Sequence, residues 1–114
     1  MNQKGIIKFC HQYYKLARHT FTTIRGKSQF RRYRVGDVVT VEAPKGSFKA
    51  EITGLKLQKP VDMSLEFIQA DAEYPGFTLN SVDEFITLLN SFRAPAWKKA
   101  SQDEEMTVFY LKKI

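Results

Sequence analysis

Residues 38 to 57 constrain the fold more than any other stretch of the chain. In VVTVEA, Val39, Val41 and Ala43 fall on one face of an extended strand, with Thr40 and Glu42 on the other. Pro44-Lys45-Gly46-Ser47 has turn composition. FKAEITGLKL then resumes the alternation, setting Phe48, Ala50 and Ile52 against Lys49 and Glu51. Two alternating runs on either side of a turn predict an antiparallel β-hairpin, entered through the Gly36-Asp37 turn.

The remaining elements are arranged around it. Gly5 to Phe9 (GIIKF) is β-branched and aromatic, and predicts an opening strand. Cys10, Tyr13, Tyr14 and Ala17 recur at three- and four-residue steps, as one face of a short helix would. Phe21 to Arg25 returns to β preference. Beyond the hairpin the period changes: Ser64 to Ala72 and Ser81 to Phe92 predict helices. The second opens with Ser81-x-x-Glu84, a capping box, and carries Val82, Phe85, Leu88, Leu89 and Phe92 as its apolar stripe. Pro95 ends that region, and Met106 to Leu111 predicts a last strand. The fold class is α+β, a single domain over residues 1–114 built on a small mixed sheet or barrel flanked by two or three helices.

A chain of 114 residues can bury a core without disulfides or metal, and Cys10 stands alone, so no intramolecular disulfide forms. The N-terminal segment lacks the continuous apolar core of a signal peptide, no apolar run approaches a membrane span, and the expected home is the cytoplasm. His11 and His19 have no partners at metal-ligand spacing, and no phosphate-cradling glycine loop or nucleophile elbow occurs; neither a metal nor any other cofactor is expected.

Charge is unevenly distributed. Residues 1–49 hold eleven Lys and Arg against Asp37 and Glu42, a net of +9, whereas residues 50–114 hold seven against ten acids, a net of −3. A basic first half suits a polyanion, most commonly nucleic acid. The density peaks in TFTTIRGKSQFRRYRVGD, where Lys27, Arg31, Arg32 and Arg34 are interleaved with Phe30 and Tyr33, an arrangement suited to phosphates and single-stranded bases. Arg25 offers a planar fork to a phosphate or base edge, or else an ion pair to Glu73 or Asp37. Phe9, Phe48, Phe67, Phe85, Phe92 and Phe109 fit apolar faces; Tyr74, Trp97, Phe30 and Tyr33 are the stacking candidates.

The order of elements resembles the ASCH domain, a branch of the PUA-like β-barrel superfamily. The resemblance is carried by GIIKF, the helix holding Tyr14-Lys15-Leu16, Thr23-Ile24-Arg25, Val35-Gly36-Asp37-Val38, the hairpin, Ala72-Glu73-Tyr74-Pro75-Gly76-Phe77 before Glu84-Phe85, and the closing strand. It implies a small barrel with a cleft between sheet and helices. It also implies RNA or nucleotide binding for most members, and amide hydrolysis on acetylated cytidine for one bacterial branch that uses a lysine, a threonine and a glutamate. The threonine carries over to Thr23 and the glutamate to Glu73, with Asp71 the other possibility by spacing. The lysine does not carry over: Thr20 stands in its place, and nothing in the sequence brings Lys15 or Lys27 to the site.

The leading expectation is therefore a binding module for RNA or a nucleotide, using Thr23, Arg25, Lys27, Arg31, Arg32, Tyr33 and Arg34. The alternatives are an enzyme, a nucleoside amidohydrolase or a ribonuclease working through Thr23 and Glu73, and a module in which the basic loop meets an acidic protein.

Overall fold

The computed structural model describes residues 3–92 and 99–114; Pro95 and Trp97 lie outside them. Five strands form one mixed, curled sheet, a half-barrel: β1 (Gln3–Lys8), β2 (Thr20–Gly26), β3 (Val38–Ala43), β4 (Gly46–Gln58) and β5 (Met106–Lys113), in the spatial order β1-β3-β4-β5-β2. The β1–β3 pairing is parallel and the others are antiparallel. The hairpin forms as expected. Val41 faces Phe48 and Ala43 faces Gly46 across the tight turn at Pro44-Lys45. Among the described residues three α-helices accompany the sheet: the single turn α1 (Gln29–Arg32), α2 (Leu65–Ala72) and α3 (Val82–Ser91). Among the described residues no helix is long and apolar enough to cross a membrane.

Both faces of the sheet are covered near β2 and β5. On the inner face Phe21, Val39, Val41, Ala50, Ile52, Phe109 and Leu111 pack with Ile7, Tyr13, Leu16 and Tyr33. On the other, Ile24, Met106 and Val108 meet Ile68 and Ala72 of α2, Phe85 of α3, and Met63 and Leu79 from the connections. β5 lies between two cores and is accordingly buried from Met106 to Phe109 without alternation.

Four expectations change in three dimensions. The segment after Cys10 is a 3-10 turn, Tyr14–Ala17, rather than an α-helical face; Tyr13, Lys15 and Leu16 turn inward while Tyr14 is exposed. The basic loop contains the helical turn α1, after which Tyr33 enters the core edge-on to Phe109. The ring is thus packed in the core rather than displayed beside the exposed arginines of the turn. In α3 only Phe85 is fully buried, and Phe92 is half exposed, because much of the stripe faces a cavity instead of solid core. The capping box closes on one side: Ser81 Oγ accepts from Glu84 N–H at 3.2 Å, while Glu84 Oε1 reaches Asn80 N–H at 3.4 Å rather than Ser81.

The β4–β5 ladder slips its register between Ile52 and Gly54, and there the Tyr110 ring lies against the Gly54 backbone. A methyl group on Gly54 would sit 3.0 to 3.3 Å from three atoms of the Tyr110 side chain, which would have to give way by a few tenths of an ångström. Gly54→Ala is expected to lower stability by about 1–3 kcal/mol. Gly26→Ala, which meets no atom within 4 Å, should stay within about 0.5 kcal/mol of wild type or rise slightly. Urea midpoints of the two variants check the contrast.

Candidate functional site

At the β2 edge of the sheet a cavity of about 740 Å³ opens between the end of β1, the 3-10 turn, α2 and α3. One wall is apolar, formed by Ile24, Met106, Ala72, the α3 side chains Phe85, Leu88 and Leu89, and Phe92 just after α3. The other carries Lys15, Thr23, Arg25, Asp71, Tyr13, Cys10 and Phe9.

The polar wall is assembled around Asp71, in the last turn of α2. Its Oδ1 accepts from Lys15 Nζ at 3.2 Å and from the Thr22 hydroxyl at 2.9 Å, joining the 3-10 turn and the edge strand to the helix. Tyr14 N–H donates to Glu73 O at 3.2 Å and fastens the same turn to the residue after α2. Lys15 is 4 % exposed, its ammonium 4.8 Å from the Phe9 ring centre and 5.2 Å from that of Tyr13. Burial lowers its pKa from 10.5 to about 8, against the opposing attraction of Asp71 and with a further push from the Arg25 charge. The phenol of Tyr13 is pushed well up, chiefly by burial and next by Cys10, so it remains a protonated hydroxyl.

Arg25 closes the end of the site. Its Nε donates to Thr23 Oγ1 at 3.1 Å and its Nη2 to Lys8 O at 3.0 Å, while the guanidinium lies 4.9 Å from the Phe9 ring centre. The second of these bonds links the two edge strands of the half-barrel, β2 and β1. Burial lowers the Arg25 pKa, with Asp71 opposing. Neither ion pair considered for it forms. Asp37 Oδ2 accepts from Arg34 N–H at 2.8 Å within its own turn, and Glu73 Oε2 accepts from Leu79 N–H at 2.8 Å.

The structure therefore brings Thr23, Arg25 and Asp71 together and adds Lys15. Of the two carboxylates that spacing left open, Asp71 lines the cavity, whereas the Glu73 carboxylate is engaged in the backbone of the following loop. In that loop Tyr74 is stacked between His11 at 3.9 Å and Phe77 at 4.9 Å. Thr20 is exposed and lies outside the cavity lining. Lys27 is at the cavity mouth, paired at 3.0 Å with Glu105, and holds that carboxyl below its usual range. Arg31, Arg32 and Arg34 are exposed beyond it, and Tyr33 is in the core. Among the described residues no group of three His, Cys, Asp or Glu side chains could hold a metal ion.

No family model matches the chain. Its fold is similar to the crystal structure of protein EF3133 from Enterococcus faecalis V583, described as DUF984, with a TM-score of 0.63 at 12 % identity over 87 % of this chain. The match spans 63 % of that structure's length, and at this identity the likeness concerns the fold alone. Its sequence is 38 % identical over 110 residues to the uncharacterized protein MJ0364 of Methanocaldococcus jannaschii, covering 95 % of each chain. With that identity sustained along almost the whole of both chains, the protein belongs to the family of MJ0364.

Proposed function

We propose that the protein is an ASCH-type amidohydrolase acting on an acylated amine of a nucleoside-like base. The observation that carries the reading is Lys15, buried beside Asp71 in a cavity it shares with Thr23 and Arg25. It supplies, from the 3-10 turn, the amine that Thr20 does not supply from the strand. A lysine with a pKa of about 8 is uncharged in roughly one molecule in ten at pH 7, and so can accept a proton near neutrality.

The chemistry assigns each group a task. Neutral Lys15 takes the proton of the Thr23 hydroxyl as its oxygen bonds to the acyl carbon, and the Arg25 Nε–H stabilises the charge on that oxygen. The carbon–nitrogen bond breaks and the amine leaves with the proton returned by Lys15. Water then cleaves the threonyl ester, releasing the carboxylic acid and restoring the hydroxyl. Asp71 holds the lysine, and the apolar wall of α3 and Met106 excludes water from the acyl group.

Purified protein should hydrolyse acetylcytidine, with Thr23→Ala and Lys15→Met each lowering kcat/KM by about 100-fold or more. In wild type the rate should rise with pH through a pKa near 8, a limb absent from the Lys15→Met variant. No turnover by wild type on any acylated nucleoside would end the reading.

Stability should follow the same group. Between about pH 8 and 10.5 the unfolded chain keeps a proton on Lys15 that the folded chain has lost, so stability rises with pH through that window. Below pH 8 both states are protonated and the cost of the buried charge is present in full. Relative to Lys15→Met, wild type should gain on the order of 3 kcal/mol from pH 8 to 10.5, measured by denaturant unfolding. A flat difference would show that the amine is not buried as a cation.

RNA binding along the basic turn is a second reading, favoured by the exposed Arg31, Arg32 and Arg34, none of which forms an ion pair among the described residues. The double variant Arg31→Glu/Arg32→Glu should weaken single-stranded RNA binding and reduce the salt slope by about 0.7 for each phosphate that is no longer neutralised. An unchanged slope would remove the basic turn from RNA binding.

A further inference from the structure

A second groove, of about 270 Å³, lies on the other side of Arg25. Lys8, Arg25 and Gly26 line both spaces, so the guanidinium is a shared wall, and the groove continues over Gln29 and Arg32 of α1 to Tyr33. Three cations from three elements, β1, β2 and α1, line it, and no acidic residue does. Neither Lys8 nor Arg32 forms an ion pair among the described residues. Arg25 has five N–H donors, of which two, to Thr23 and to Lys8 O, have partners among the described residues.

Donors converging from separate directions on a groove that no carboxylate lines suit a compact anion with several acceptor oxygens, and forked guanidinium groups suit phosphate in particular. The groove is about a third the volume of the main cavity, room for a single group beside a larger one.

We propose that this groove is a phosphate subsite of the cavity, so that the natural ligand is a nucleotide bearing a terminal phosphate monoester rather than a free nucleoside. The proposal rests on reading the main cavity as a nucleoside site, not on the hydrolysis itself. The base occupies the chamber beside Phe9 and α3, and the phosphate passes Arg25 to reach Lys8 and Arg32.

The test is equilibrium titration of the full chain with cytidine 5′-monophosphate and with cytidine. In about 50 mM salt, wild type should bind the monophosphate about tenfold or more tightly than the nucleoside, the discrimination expected of charge-assisted bonds to one phosphate. In the Lys8→Ser/Arg32→Ser variant the two ligands should come within about twofold of each other; the ratio is the readout, because Lys8 also lines the main cavity and its loss can shift the affinity for both ligands together. If wild type hydrolyses no acylated nucleoside yet shows this preference and loses it in the double variant, the subsite stands and the hydrolase reading fails. Equal affinities in wild type, or a preference that survives in the double variant, would overturn the subsite. So would a short oligonucleotide without a terminal phosphate that binds as tightly as the monophosphate through the same two residues.

Discussion

The buried contact between Lys15 and Asp71 joins three parts of the chain that nothing in the sheet ladder connects. The 3-10 turn supplies the ammonium and α2 the carboxylate, while β2 adds the Thr22 hydroxyl to the same oxygen. A buried ion pair is a poor source of stability, because removing two charges from water costs about as much as their attraction returns. The depressed pKa of Lys15 expresses this balance, with burial outweighing the carboxylate beside it. A well-packed apolar pair would hold α2 against the 3-10 turn at least as firmly. What the ion pair provides instead is a lysine near its titration point, fixed in direction by a carboxylate and walled by Phe9 and Tyr13.

Arg25 has the corresponding role at the open side of the sheet. The strand order leaves β1 and β2 as edges, and no backbone ladder closes the half-barrel between them. The guanidinium bridges the gap by donating to Thr23 on its own strand and to the carbonyl of Lys8 at the end of β1. A side chain that bridges two edges is oriented by both, which preorganises its remaining donors without further ordering cost when a ligand arrives.

How much of this is legible in the sequence depends on the range of the interactions. The hairpin, the Ser81 side-chain cap and the spans of α2 and α3 rest on contacts within a few residues, and the structure follows them closely. Thr23 and Arg25, which the strand pattern sets at the end of β2 on one face, both line the cavity. Lys15 is not legible, because its partner is 56 residues away and a lysine between Tyr14 and Leu16 looks like a solvated position on a short helix. The threefold period of the 3-10 turn, which rotates it inward, leaves no mark distinct from that of an α-helix over four residues. Glu73 and Asp71 differ by two positions, and only the end of α2 decides between them, since Asp71 lies within its last turn and Glu73 caps it. Tyr33 follows its charged neighbours in the sequence, but the turn of α1 separates its direction from theirs.

The position of β2 explains why charged and apolar walls share one cavity. Successive side chains of a strand point to opposite faces, so Thr23 and Arg25 face one way and Ile24 the other. In a central strand those faces open into separate spaces. At an edge a ligand can reach around the strand, and all three consecutive residues line the same cavity. α2 passes this edge and α3 backs it, so Asp71 is held at the edge by the Thr22 hydroxyl, and Phe85, Leu88 and Phe92 line the cavity beyond it. The low-dielectric wall strengthens every interaction of the cations opposite it, so the apolar residues of α3 act on Lys15 and Arg25 from across the cavity. A ligand matched to such a site has a flat or apolar part for the helix and a polar, acceptor-rich edge for the strand. The acylated base we propose meets that description.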